Sequence, residues 1–104
     1  MSRWRFHRAV LEEVESTARW YERERAGLGD EFVVALDDVL ARLERGEIAT
    51  SPVPEDPRAR RVFLARVPHS VVFVDSGEEC FVLAVAHLRR SPGYWLARVS
   101  EPDT

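Results

Sequence analysis

The spacing of apolar residues changes three times along this chain, and each change marks a structural boundary. Residues 3–8, Arg-Trp-Arg-Phe-His-Arg, alternate apolar with polar. That is the period of a strand buried on one side, and it points Trp4 and Phe6 toward a core. From Ala9 the period lengthens. Val10, Leu11, Val14, Ala18 and Tyr21 recur at three- and four-residue steps, one face of a helix. Glu12, Glu13 and Glu15 come early in it and Arg19, Arg23 and Arg25 late, the order that complements the helix dipole. Gly27-Leu28-Gly29-Asp30 interrupts the pattern, with Gly27 as a left-handed stop and Asp30 as the cap of a second helix. That helix carries Phe32, Leu36, Val39, Leu40 and Leu43 on one stripe and ends at Arg42, Arg45 and Gly46.

Pro52, Pro54 and Pro57 then fall in a stretch poor in large apolar side chains, which predicts a loop over residues 47–59. Three strand-like runs follow: Arg61–Arg66, Ser70–Asp75 and Cys80–His87. Pro68-His69 and Ser76-Gly77 serve as the turns between them. The last run is apolar almost throughout, as a central strand covered on both faces must be. The expected fold class is therefore α+β in a single domain spanning 1–104. An N-terminal strand leads into a helical hairpin over about 9–46. The loop follows, then a three-stranded antiparallel sheet within 60–87 and a C-terminal tail over 88–104. The helices pack on one sheet face, leaving a concave face lined from 61–66 and 87–95.

Composition narrows the partner class. All fifteen basic residues are arginine, a side chain suited to forked contacts with phosphate and carboxylate, although a codon bias gives the same count. Residues 1–57 hold 8 arginines against 13 acids, a net of −5. Residues 58–98 hold 7 against 3, a net of +4. The overall charge of −3 thus hides a basic second half that attracts an anionic partner. One cysteine, Cys80, excludes an internal disulfide and fits a reducing cytosol, where it serves as a small core hydrophobe. No apolar run approaches the roughly 20 residues of a membrane span, so a cytoplasmic protein with no membrane contact is expected.

The residues that could carry chemistry gather at the end of the last strand: His87-Leu88-Arg89-Arg90-Ser91-Pro92-Gly93-Tyr94-Trp95, with Arg98 beyond and Arg61 and Arg66 on a neighbouring strand. Cations, an imidazole and a phenol suffice in principle for metal-free RNA cleavage. His87 or Tyr94 would act as base or acid, and arginines would stabilise the crowded phosphorane. Plainer roles compete. His87 can be a strand-end histidine bonded to backbone, Tyr94 and Trp95 can pack the tail onto the sheet, and Arg61 and Arg66 can pair with the acidic helices. His7 and His69 have no clustered partner in sequence, and three histidines without acidic neighbours at ligand spacing make no metal site. No cofactor is expected.

Trp20-Tyr21-Glu22, Gly27-Leu28-Gly29-Asp30-Glu31-Phe32, Arg60-Arg61, Ala86-His87-Leu88-Arg89-Arg90-Ser91-Pro92 and Tyr94-Trp95, in this order and spacing, resemble the RelE/ParE toxins of bacterial type II toxin–antitoxin systems. The resemblance spans residues 6–98. It implies a heteromeric complex with a cognate antitoxin and one of two activities. ParE-like members inhibit DNA gyrase, whereas RelE-like members cut mRNA on the ribosome. The Trp-Tyr-Glu and Gly-Leu-Gly-Asp-Glu-Phe segments resemble the ParE and plasmid-stabilisation members, and the lack of lysine departs from the nucleases. On the nuclease reading His87, Arg90 and Tyr94 are catalytic. On either reading Arg60, Arg61, Arg66, Arg89, Arg98 and Trp95 would meet an anion or partner. An inactive, antitoxin-binding module is a third possibility.

Overall fold

The computed structural model describes residues 4–100. Its elements run β1 (Trp4–Phe6), α1 (Val10–Glu24), α2 (Leu28–Glu44), β2 (Ser51–Val53), β3 (Asp56–Phe63), β4 (His69–Asp75), β5 (Cys80–His87) and a 3₁₀ turn, Leu96–Ser100. Arg3 and residues 101–104 of the expected strand and tail lie outside the described residues.

The helical hairpin forms where the apolar stripes place it, and the Glu22 side chain explains the glycine motif. Its carboxylate accepts the Gly27 N–H at 3.0 Å and the Gly29 N–H at 3.1 Å, so α1 itself caps the N-terminus of α2. Asp30 is therefore not the cap; it lies inside the first turn of α2, which begins at Leu28. Gly27 has φ 89°, the left-handed turn between the helices. At Gly29 the helices nearly touch: a Cβ there would sit 2.7 Å from the Ala18 carbonyl oxygen. The far end of α2 closes with Glu47 N–H to Arg42 carbonyl (2.8 Å) and Gly46 N–H to Leu43 carbonyl (3.0 Å).

The sheet has five strands in the order β1-β5-β4-β3-β2. Its middle is the expected antiparallel trio, and each edge gains a strand. β1 pairs with β5 in parallel, Phe6 opposite Val82, because the helical hairpin serves as the crossover between them. The predicted proline loop over 47–59 is half strand: β2 pairs Ser51 with Arg61 and Pro52 with Arg60, and β3 starts at Asp56 rather than Arg61. Pro52 is tolerated because β2 is an edge, where a missing amide costs no ladder bond. Phe6, expected in the core, is 41% exposed at the short outer strand, and Leu11 is 69% exposed beside the buried Val10.

The sheet separates two cores. On the helical side Val10, Tyr21, Phe32, Leu36 and Val39 pack onto Val62, Leu64, Val71, Phe73, Cys80 and Val82. The expected open concave face is instead covered by the C-terminal segment. Trp95 is buried there against Val53, Ala59, Val72, Leu83 and Ala84. Losing this indole costs about 3–5 kcal/mol by the usual penalty for emptying a large core site. A bulge makes this second core possible. Phe73 pairs with Val82 but Val72 with Ala84, so Leu83 is an extra residue, and Leu83 and Ala84 both face the tail.

Candidate functional site

The bulge also sets the geometry of the strand ends. It advances β5 by one residue, so His87 falls opposite His69, with ring centroids 5.0 Å apart and nearly perpendicular. His69, which has no partner by sequence spacing, is thereby clustered. It is buried, its Nδ1 lies 3.3 Å from the Tyr21 hydroxyl, and Phe32 packs edge-on against its ring. Burial, aided by the charge of His87, pulls the His69 pKa down to about 4, so this imidazole is neutral at physiological pH. His87 is half-buried. Its Nδ1 accepts the Arg89 N–H at 3.0 Å and its carbonyl accepts the Arg90 N–H at 3.1 Å, which assigns the Nε2–H tautomer to the neutral ring.

Beyond His87 the turn residues fold back over β3 and β4 to form a cleft of about 120 Å³. Arg61, Ser70, His87, Arg90 and Ser91 supply its polar lining, and Glu55 sits at its side. Arg61 Nε is buried without a hydrogen-bond partner among the described residues, and its guanidinium carbon lies 5.1 Å from the Phe63 ring centre. The Arg90 guanidinium stacks on the Tyr94 ring at 3.7 Å, and Arg98 approaches the same ring at 5.2 Å. Neither Arg61 nor Arg90 has an ion-pair partner among the described residues, so the cleft presents two forked cations beside one titratable imidazole. That set can hold a phosphate or carboxylate. On the helix side of His87, a separate groove of about 330 Å³ is lined by Ser16, Thr17, Trp20 and the two histidines.

The other expected site residues are placed elsewhere. Tyr94 turns its hydroxyl inward; it is buried without a hydrogen bond, and burial, reinforced by the charge of Glu13, pushes its pKa up to about 12. Arg98 is bound to the Leu83 carbonyl at 3.0 Å and to Glu13 at 2.7 Å. Arg60 donates to the Thr50 hydroxyl (2.7 Å) and carbonyl (2.8 Å), fastening β3 to the segment before β2. Arg66 sits in the β3–β4 turn beside α2, far from the cleft in the fold, and Trp95 is the centre of the second core. Arg89 is exposed next to the cleft. The structure thus brings together His87, Arg61 and Arg90 and adds His69, Ser70 and Ser91. Among the described residues no three His, Cys, Asp or Glu side chains come together to hold a metal ion, and no helix is long and apolar enough to cross a membrane.

No protein-family model matches the chain, and no curated protein does. Among solved structures, a chain of the chromosomal ParDE TA system from P. aeruginosa matches with a TM-score of 0.64 and 18% sequence identity, over 86% of this chain and 97% of that one. A likeness at this identity defines the fold. The chain has the fold of a ParDE toxin–antitoxin component, in agreement with the RelE/ParE resemblance of its sequence.

Proposed function

We propose that this chain is the toxin of a cytoplasmic type II toxin–antitoxin module, that it acts in the ParE manner by binding DNA gyrase, and that a cognate antitoxin neutralises it. One observation weighs most for binding over RNA cleavage. The Tyr94 hydroxyl is buried behind the Arg90 and Arg98 guanidinium groups, with its pKa raised to about 12. A general acid must reach the leaving oxygen and carry a pKa near the working pH; this phenol does neither. Arg98, a second member of the nuclease inventory, is spent on Glu13 and a backbone carbonyl. What remains at the surface is a small basic cleft with His87 at its edge, suited to recognising an acidic protein segment. Such a cleft also suits an acidic antitoxin segment that orders as it binds.

The competing reading, a ribosome-dependent mRNA endoribonuclease, is favoured by His87, Arg61 and Arg90 lining one cleft. The deciding experiment pairs two assays on the purified protein: gyrase supercoiling and cleavage at micromolar toxin, and primer extension on mRNA from cells expressing the toxin alone. Gyrase inhibition with intact mRNA supports the proposal. Unchanged gyrase activity with mRNA cut inside codons replaces it with the nuclease.

A further inference from the structure

On the helical side of the molecule, a groove of about 400 Å³ runs between α2 and the β3–β4 turn. Its floor is apolar: Leu28, Val34 and Ala35 from the helix, Ala65 and Val67 from the turn. Val34 is 67% exposed in the middle of a helix whose other large aliphatic side chains are buried or half-buried. An exposed valine has no stabilising role there, since β-branched residues are poorer helix formers than alanine or leucine. The turn that forms the other wall is held by Arg66 at φ 70°, a left-handed conformation costly for a non-glycine residue.

Charge says what would fill the groove. Glu31 and Asp38 lie one turn before and one turn after Val34 and Ala35 on the same helical face, and Asp30 is also at the rim. Across α2 as a whole, five acids (Asp30, Glu31, Asp37, Asp38, Glu44) face one arginine, Arg42, a net of −4. Glu31 and Asp38 do meet Arg25 (2.9 Å) and Arg42 (3.8 Å), but these are exposed pairs, weak and easily exchanged for an incoming cation. An apolar floor between carboxylates selects a segment with the opposite pattern.

We infer that this groove docks a protein segment whose apolar side chains, at three- or four-residue spacing, are flanked by lysine or arginine. The surface is separate from the basic cleft, opposite to it in sign, and independent of the toxin reading. The test is to pan a random-peptide library on the wild-type chain and measure each enriched clone against wild type, Val34→Lys and Asp38→Arg. Both substitutions are at exposed helix positions, and thermal melts would verify that each variant folds. The expected clones carry an apolar pair with basic flanks, lose about tenfold or more in affinity on Val34→Lys, weaken on Asp38→Arg, and weaken further as salt is raised. Three results would overturn the inference. Enriched clones could bind Val34→Lys as well as wild type, which puts them elsewhere. The Val34-sensitive clones could be acidic or uncharged. The wild-type chain could self-associate while Val34→Lys stays monomeric, which makes a second copy the occupant.

Discussion

Arg98 Nη2 lies 2.7 Å from Glu13 Oε2, joining the C-terminal turn to the first helix across 85 positions, and both side chains are only 15% exposed. The same guanidinium donates to the carbonyl of the bulged Leu83 at 3.0 Å. One arginine thus holds together α1, the bulge in β5 and the segment that covers the second core. Replacing it leaves a largely buried carboxylate without its counter-charge. Arg98→Ala should cost about 2–4 kcal/mol, the range for breaking one side of a buried pair. Glu13→Gln on that background should restore part of the loss by removing the orphaned charge. Urea denaturation of the two variants checks this, and a loss below about 0.5 kcal/mol would show that solvent screens the pair.

The contact between the helices makes a second prediction. A methyl group at position 29 would meet the Ala18 carbonyl, which is backbone and cannot swing away. Gly29→Ala should therefore destabilise the fold by about 1–3 kcal/mol despite the better helix propensity of alanine. Glu22→Ala removes the acceptor of two helix-end amides and should cost about 0.5–2 kcal/mol. Thermal unfolding of each variant is the measurement. A Gly29→Ala protein as stable as wild type would mean that the helices pack less closely than described.

Glu22 also illustrates what could be read from the sequence and what could not. The stripes of the two helices and the bounds of Cys80–His87 follow from periodicity, because a 3.6-residue repeat and an unbroken apolar run have few alternative explanations. The cap did not, since a glutamate inside one helix carries no sign that its carboxylate serves the next. The prolines misled at residues 47–59, because the rule against proline in strands relaxes at an edge and only the sheet order tells which strands are edges. The pairing of His69 with His87 was hidden by a single residue. A plain hairpin continuing the Asp75–Cys80 register sets His69 opposite Ala86, and the bulge at Leu83 moves it to His87. Bulges depend on what must be packed beneath them, here Leu83 and Ala84 under Trp95.

Tyr94 separates the two functional readings at the level of one oxygen atom. Its hydroxyl has no hydrogen bond, so Tyr94→Phe should leave stability unchanged or raise it by up to about 1 kcal/mol, as expected when an unsatisfied buried polar group is removed. Growth inhibition on induced expression should persist. Loss of toxicity in a folded Tyr94→Phe protein would make the phenol part of the chemistry. The raised pKa has its own signature. Between pH 10 and about 12 the unfolded chain loses this proton while the folded chain keeps it, so stability falls as pH rises through that window. The Phe variant should lose less in that range.

His69 gives the opposite dependence at low pH. Its folded pKa of about 4 lies below the ordinary value of 6.5, so the folded state resists a proton that the unfolded state accepts. The unfolded chain therefore binds more protons between those values, and stability rises with pH. The contribution is fully present above pH 6.5 and is lost progressively as pH falls toward 4, a change of roughly 2–3 kcal/mol. His87 faces His69 across the strands and Tyr21 bonds to it from α1, so the variant chosen must disturb neither. His69→Asn keeps a polar group near the Tyr21 hydroxyl and removes the titration. Denaturant midpoints between pH 4 and 7 should fall steeply for wild type and more gently for His69→Asn. Parallel slopes would place the titrating group elsewhere and would mean that water reaches the His69 ring.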